Sequence, residues 1–132
     1  MITNSGNTKS ARVMVCDDDQ ELLRLFQLAL EQTYEVLRVS SGKECLEKYI
    51  EEKNKGNKID VLLLDYKLGD MTGEDVACKI RELDGTNTIL ISAYEIEKEV
   101  ISQLKKKGCI VDTVSKPISM YLLKKLVQSA IK

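Results

Sequence analysis

Short apolar runs alternate along the chain with longer stretches in which apolar residues recur at helical spacing. The runs at residues 61–64 and 89–91 are continuously apolar, as expected of parallel strands that are covered on both faces of a sheet. The run at residues 36–39 is more mixed, which favours an edge position. The pattern predicts five strands, at residues 13–16, 36–39, 61–64, 89–91 and 111–114.

The stretch after each run carries apolar residues three or four positions apart, which places them on one face of a helix. These apolar stripes are Leu22, Leu25, Phe26, Ala29 and Leu30; Cys45, Leu46, Tyr49 and Ile50; Val76, Ala77, Ile80 and Leu83; Ile96, Val100, Ile101 and Leu104; and Leu122, Leu123, Leu126, Val127 and Ala130. Five alternations of strand and helix predict an α/β fold, in which a five-stranded parallel sheet carries five helices on its two faces.

The chain of 132 residues is long enough for one domain with a buried core. Its 43% apolar and 31% charged residues form an ordinary balance that argues against disorder. Residues 1–10 are polar and are expected to form a flexible tail, which places the domain at residues 11–132. The sequence shows neither a secretory signal nor an apolar stretch of membrane-spanning length, so we expect a cytoplasmic protein without membrane contact.

Histidine is absent from the sequence, which excludes Ser-His-Asp and Cys-His catalysis and histidine-ligated metal sites from this chain. The cysteines at positions 16, 45, 78 and 109 have neither CxxC nor zinc-site spacing. We therefore expect four reduced and mostly buried thiols.

Chemically useful side chains stand at the ends of four of the five predicted strands. An aspartate triplet at positions 17–19 follows the first strand, and Asp65 follows the third. The fourth strand ends in Ser92, and Lys116 comes after the fifth. Because ligands of such sheets bind outside the carboxyl ends of the strands, we expect these groups to share one site.

The expected cluster of carboxylates needs positive charge, because neighbouring carboxylates repel one another and raise one another's pKa values. Lys116 supplies one positive charge, and Mg²⁺, which prefers oxygen ligands and keeps some waters, would supply the rest. The metal ion, the lysine and the Ser92 hydroxyl could hold the three oxygens of a phosphoryl group, with a carboxylate as the nucleophile. The residues thus indicate a metal-assisted phosphoryl site.

Each of these residues also has a purely structural interpretation. Asp18 and Glu21 match a capping box at the start of the first helix. Asp65 could form an Asx turn, and Ser92 could cap the helix that follows it. A cap needs only one side chain, however, and the joint placement of the groups at four strand ends favours the shared site.

The sequence resembles the receiver domains of bacterial and archaeal response regulators, which have the CheY-like fold. The resemblance covers about residues 11–131 and is carried by the stretches VMVCDDDQELLRLF, VLLLDYKLGDMTGEDV, ILISAYE and VSKPIS. It implies a flavodoxin-like sheet with the strand order 2-1-3-4-5.

The resemblance also implies a metal site and a phosphoacceptor. Asp65 corresponds to the phosphoacceptor, and Asp17 and Asp18 correspond to the acidic pair that binds Mg²⁺. Asp65 itself and the backbone carbonyl of Lys67 would complete the ligands from the protein. Asp19 matches a position that is often acidic without being a principal ligand.

The same resemblance implies how the phosphoryl group would be received. Ser92 and Lys116 correspond to the hydroxyl and the ammonium that contact the phosphate, and the bond from Lys116 to Pro117 is commonly cis in the family. The donor would be a phosphohistidine on a sensor histidine kinase or on a phosphotransfer protein. Transfer and later hydrolysis would be catalysed largely by the receiver itself, so the chain is expected to be a signalling domain rather than an enzyme with a separate substrate.

Three departures from the family pattern bear on the switch. Gly69 stands where the family usually has proline, and Thr113 stands where it has an aromatic residue. Without that aromatic, the coupling of Ser92 to the output face is in question. Lys67 and Tyr94 occupy the positions that tune the lifetime of the phosphate.

Basic residues are concentrated in the carboxyl-terminal part of the chain, although the whole chain has a net charge of −1. Residues 98–132 contain eight lysines and only Glu99 and Asp112 as acids. The resemblance places the output face here, so we expect a downstream acidic protein or a second copy of the chain to bind it. The alternative is a solvated lysine-rich face. Direct contact with nucleic acid is not expected, because there is no arginine cluster.

Two other functions remain as alternatives. A pseudo-receiver would bind a partner without being phosphorylated, which the missing aromatic favours and the intact acidic site opposes. A flavodoxin-like cofactor binder would need a phosphate-cradling loop after the first strand, where three aspartates would repel the phosphate. Met1 and the natural-looking tail favour a stand-alone receiver over a piece of a longer regulator or hybrid kinase.

Overall fold

The computed structural model describes residues 10–131, so residues 1–9 of the predicted tail lie outside the described residues. Strands and helices alternate strictly along the described part. The strands are β1 (Arg12–Cys16), β2 (Glu35–Val39), β3 (Val61–Asp65), β4 (Asn87–Ser92) and β5 (Asp112–Ser115), and the helices are α1 (Gln20–Leu30), α2 (Gly42–Asn54), α3 (Gly73–Leu83), α4 (Lys98–Lys106) and α5 (Met120–Ile131). All five predicted strands are therefore present, although Val111 precedes β5 and Ile96 precedes α4.

The strands form one parallel sheet in the order β2-β1-β3-β4-β5, which confirms the predicted fold class and topology. Cys16, the last residue of β1, pairs with Leu64 of β3, so Asp17 and Asp65 lie at the same edge of the sheet. Ser92 pairs with Ser115, which places Lys116 just beyond that edge. The register thus assembles the residues predicted to share a site.

The two faces of the sheet carry separate hydrophobic clusters. On β3, Leu62 and Leu64 pack with residues of α2, α3 and α4, whereas Val61 and Leu63 pack with residues of α1 and α5. Side chains alternate between the two faces of a strand, so a strand covered on both faces must be apolar throughout. This burial holds in place the strands whose carboxyl ends carry the site.

On several helices, fewer residues of the predicted apolar stripe are buried against the sheet than the sequence pattern predicts. On α1 the buried residues are Leu23, Phe26 and Leu30, so Leu23 lies outside the predicted stripe, whereas Leu25, which belongs to it, is 51% exposed. A helix that lies on a sheet buries about two residues per turn, so the outer part of each stripe faces solvent. The outer residues of three further stripes are exposed in the same way: Ile50, Leu83 and Leu122.

Two expectations drawn from composition concern membranes and thiols. No helix within residues 10–131 is long and apolar enough to cross a membrane. All four cysteines are free thiols; three of them are buried and Cys78 is partly exposed, as the sequence predicts.

Candidate functional site

An acidic cluster lies beyond the carboxyl ends of β1 and β3. Carboxylate oxygens of Asp17, Asp18 and Asp65 lie within 4.8 Å of one another. Asp17 and Asp65 are buried, whereas Asp18 is exposed to solvent. Oxygen ligands at this separation, with one side open to water, fit a hard divalent cation such as Mg²⁺.

Lys116 pairs with both buried carboxylates. Its Nζ lies 3.0 Å from Oδ2 of Asp17 and 3.3 Å from Oδ1 of Asp65. Burial by itself lowers the pKa of Lys116, but the hydrogen bond and charge of Asp17, together with Asp65, raise it above its usual value. The peptide bond to Pro117 is cis, as the resemblance implies. The lysine is therefore held in the cluster in its charged form.

The surroundings of Asp65 oppose its negative charge. Burial raises the pKa of Asp65 above its usual value and the charge of Asp17 raises it further, while Lys116 acts in the opposite direction. Three carboxylates face one ammonium here, so negative charge is in excess in the cluster. A bound cation would relieve this repulsion. The charge of the cluster, like the separation of its oxygens, therefore fits a cation site.

Asp19, not Asp18, caps α1. Its Oδ1 accepts hydrogen bonds from the backbone N–H groups of Glu21 and Leu22, at 3.0 and 3.2 Å. The predicted capping box at Asp18 and Glu21 is therefore wrong by one residue. The helix begins one residue later than the capping box predicts. Asp17 is buried directly after β1 and accepts a hydrogen bond from the N–H of Asp19 at 2.9 Å, which holds residues 17–19 outside the helix. As a result, Asp17 and Asp18 both lie in the acidic cluster while Asp19 starts the helix.

The Ser92 hydroxyl is turned into the loop that follows β4. It donates a hydrogen bond to the carbonyl of Tyr94 at 2.7 Å and accepts one from the N–H of the same residue at 2.9 Å. Ala93 and Tyr94, rather than Ser92, line the cavity above the acidic cluster. The structure thus places Ser92 at the expected edge of the sheet, with its hydroxyl bonded to the backbone of the loop.

The cavity above the cluster has a volume of about 500 Å³ and is flanked by two exposed side chains. Nζ of Lys67, in the loop after β3, lies 5.0 Å from the ring centroid of Tyr94. This separation is typical of a cation–π contact. The family resemblance marks both positions, but their contact depends on how two loops fold and has no signal in the sequence.

The sequence and the fold match known proteins along almost the whole chain. The family model of the response regulator receiver domain matches residues 13–128. The chain is 30% identical to the nisin biosynthesis regulatory protein NisR of Lactococcus lactis over 122 residues, which is 92% of this chain and 50% of that protein. It is 32% identical to a two-component response regulator of Arabidopsis thaliana over 126 residues, which is 92% of this chain and 21% of that protein.

The fold is similar to that of solved receiver domains. A CheY-like response regulator receiver domain from Methanospirillum hungatei matches with a TM-score of 0.78 at 26% identity, over 92% of this chain and 94% of that chain. In contrast, the chain spans half or less of the length of the two curated relatives. The likeness therefore concerns a domain rather than those whole proteins.

Proposed function

Since the chain belongs to the response regulator receiver domain family, a family of signalling domains, we propose that it accepts a phosphoryl group on Asp65. The donor would be a phosphohistidine on a sensor histidine kinase or on a phosphotransfer protein. One observation carries the proposal: Asp17, Asp65 and Lys116 meet within hydrogen-bonding or ion-pair distance at the sheet edge.

Asp65 would act as the nucleophile. One carboxylate oxygen attacks the phosphorus and forms an acyl phosphate, while the P–N bond of the donor breaks. The imidazole nitrogen keeps the bonding electrons and takes up a proton from solvent. Later attack by water on the phosphorus releases inorganic phosphate and restores the carboxylate.

The neighbours of Asp65 would hold Mg²⁺ and the transferred group. Asp17, Asp18, Asp65 and the Lys67 carbonyl would supply the protein ligands, and the ion, when bound, would neutralise charge on the phosphoryl oxygens. Lys116 is close enough to Asp65 to contact another phosphoryl oxygen.

The Ser92 hydroxyl would couple the phosphate to the rest of the molecule. To donate to a phosphoryl oxygen it must give up the hydrogen bond that it donates to the Tyr94 carbonyl, so the loop that leads into α4 would rearrange. On α4, Leu104 is buried, while Val100 and Ile101 pack against the core and stay partly exposed. The N-cap residue of this helix, Glu97, makes no side-chain cap hydrogen bond among the described residues. A helix that buries one residue and has no side-chain cap can respond to such a change.

The output of this change would be a protein contact. Several lysines of the predicted output face are exposed, which suits an acidic downstream protein or a second copy of the chain: Lys98, Lys105, Lys106, Lys107, Lys124 and Lys125.

Incubation with Mg²⁺ and acetyl phosphate, followed by intact-mass measurement, tests the proposal. We expect a gain of one phosphoryl mass that disappears with a chelator and in Asp65→Asn. A folded protein that gains no mass from acetyl phosphate or from a phosphohistidine donor would instead be a pseudo-receiver that acts by binding alone.

A further inference from the structure

The loop between β3 and α3 is a small hairpin. The N–H of Leu68 donates to the carbonyl of Met71 at 3.1 Å, and the N–H of Gly73 donates to the carbonyl of Tyr66 at 2.6 Å. Between these two hydrogen bonds, Lys67 and Thr72 lie opposite each other as an antiparallel pair. A residue in such a non-hydrogen-bonded pair points its own N–H and C=O groups out of the hairpin. The Lys67 carbonyl therefore faces outward, as a metal ligand must.

Asp70, at the tip of this hairpin, ties it to α2. Its Oδ1 accepts a hydrogen bond from the N–H of Gly42, and its Oδ2 accepts one from the N–H of Lys43, both at 2.9 Å. These bonds lower the pKa of Asp70, so the carboxylate is charged at neutral pH. A charged carboxylate on the first N–H groups of a helix is favoured both by hydrogen bonding and by the helix dipole.

Close packing beside Asp70 strengthens the connection. A Cβ atom placed on Gly42 would lie 2.7 Å from Sδ of Met71, so the hairpin sits directly on the first turn of α2. On the other side of Asp70, a Cβ placed on Gly69 would have no described atom within 4 Å apart from those of its chain neighbours. The hairpin tip is thus held by Asp70 and Met71, next to a glycine that adds no packing.

We propose that Asp70 is a positioning residue for the cation site, because it anchors the hairpin on α2 and so fixes the Lys67 carbonyl relative to Asp17 and Asp65. This inference rests on the proposed function, since the position of that carbonyl matters only if a cation binds there. Loss of an outer support of a metal ligand typically costs 10- to 100-fold in metal affinity. For one exposed anchor we expect Asp70→Ala to weaken Mg²⁺ binding about tenfold.

Calorimetric titration of Mg²⁺ into three proteins tests the inference: the wild type, Asp70→Ala and Ser41→Ala. Ser41 is the matched control, because its Oγ caps the same end of α2 by accepting from the N–H of Glu44 at 3.0 Å. Both substitutions weaken that helix end, and thermal unfolding measures by how much. We expect weaker Mg²⁺ binding only in Asp70→Ala, with labelling by acetyl phosphate restored at saturating Mg²⁺.

The possible outcomes separate this inference from the proposed function. If Asp70→Ala binds Mg²⁺ as tightly as the wild type, or if Ser41→Ala loses as much affinity, the inference is overturned while the function stands. If the wild type neither binds Mg²⁺ nor becomes labelled, the proposed function fails and the inference fails with it.

Discussion

Asp65 has to be charged to act as a nucleophile, yet its surroundings oppose that charge. It is buried, and the charge of Asp17 adds to the effect of burial, with Lys116 as the partly compensating cation. A site that concentrates like charges in this way costs stability until a cation binds. Under the proposed function, this repulsion follows from placing the nucleophile beside the metal ligands.

Substitution Asp65→Asn is expected to raise the unfolding temperature by a few degrees in the presence of a chelator, because it removes one of the repelling charges. The folded protein keeps the Asp65 proton to higher pH than the unfolded chain does, so ionisation removes stability as pH rises above the usual pKa of 3.8. The difference in unfolding temperature between the variant and the wild type should increase as pH rises above this value and disappear at lower pH. Thermal unfolding between pH 3 and pH 7 would measure it.

The contact between Lys67 and Tyr94 is expected to shield an acyl phosphate on Asp65 from water. Tyr94→Ala should therefore shorten the lifetime of the phosphorylated protein severalfold, which the decay of intact phosphorylated mass would report. Tyr121→Ala is the matched control, because Tyr121 on α5 is similarly exposed, at 70% against 62% for Tyr94, and its ring centroid lies 5.2 Å from Nζ of Lys125. An unchanged lifetime in Tyr94→Ala would show that the pair does not limit access of water.

Residues at strand ends could be predicted from the sequence, whereas contacts made by loops could not. Asp17, Asp65 and Lys116 lie together as the sequence predicts, because the register of a parallel sheet brings the ends of buried strands together. The orientation of the Ser92 hydroxyl and the anchoring of Asp70 on α2 depend on loop backbone geometry. Neither contact follows a fixed spacing that a sequence pattern could reveal.

At the scale of elements, the start of α3 is packed directly against Asp65, the proposed phosphoacceptor. A Cβ atom placed on Gly73 would lie 2.5 Å from the carbonyl oxygen of Asp65 and 2.9 Å from Cα of Tyr66. Both neighbours are backbone atoms, which cannot move without shifting β3. The glycine is therefore required by the close approach of the helix to the strand.

We expect Gly73→Ala to destabilise the protein by about 1–3 kcal/mol and to slow phosphorylation of Asp65, because the added methyl group displaces the end of β3. Gly69→Ala, in the loop that precedes α3, should have little effect on folding, since the space around that residue is open. Urea unfolding and labelling by acetyl phosphate would compare the two variants. If the two variants had the same stability and the same rate of labelling, the close approach of α3 to the end of β3 would be contradicted.

The helices show what a sequence pattern can and cannot specify. Helical spacing located every helix, because each one must bury an apolar face on the sheet. The pattern did not reveal that Leu23 rather than Leu25 faces the sheet on α1, because leucines occupy both sides of the helix. The buried side is chosen by packing on the strands, which the helix sequence alone does not encode.

At the scale of the whole molecule, the site and the main ion-pair network occupy opposite ends of the sheet. Arg12, at the start of β1, donates to Glu52 near the end of α2 at 2.6 Å and to the carbonyl of Asn57 at 3.1 Å. The acidic cluster lies at the other end of β1, after Cys16. One end of the sheet thus holds neighbouring elements together by ion pairs and hydrogen bonds, while the other end carries the proposed phosphoryl site.

Glu52→Gln is expected to lower the unfolding temperature by several degrees at neutral pH, because it removes the charge that faces Arg12. The hydrogen bond from Arg12 lowers the pKa of Glu52, so its stabilisation is present above the usual value of 4.5 and is lost as pH falls through the depressed pKa. Thermal unfolding as a function of pH would show the two proteins converging in acid. Glu51→Gln, an exposed neighbour on α2, should have almost no effect.

The identity of the phosphorylated residue is the central claim, and locating the phosphoryl group tests it most directly. After labelling with Mg²⁺ and acetyl phosphate, borohydride reduces an acyl phosphate on aspartate to homoserine, which peptide mass spectrometry can assign. We predict homoserine at position 65 and unchanged aspartate at Asp17 and Asp18, with no homoserine when Mg²⁺ is removed. Homoserine at another aspartate, or a stable phosphate on a hydroxyl group, would contradict the account.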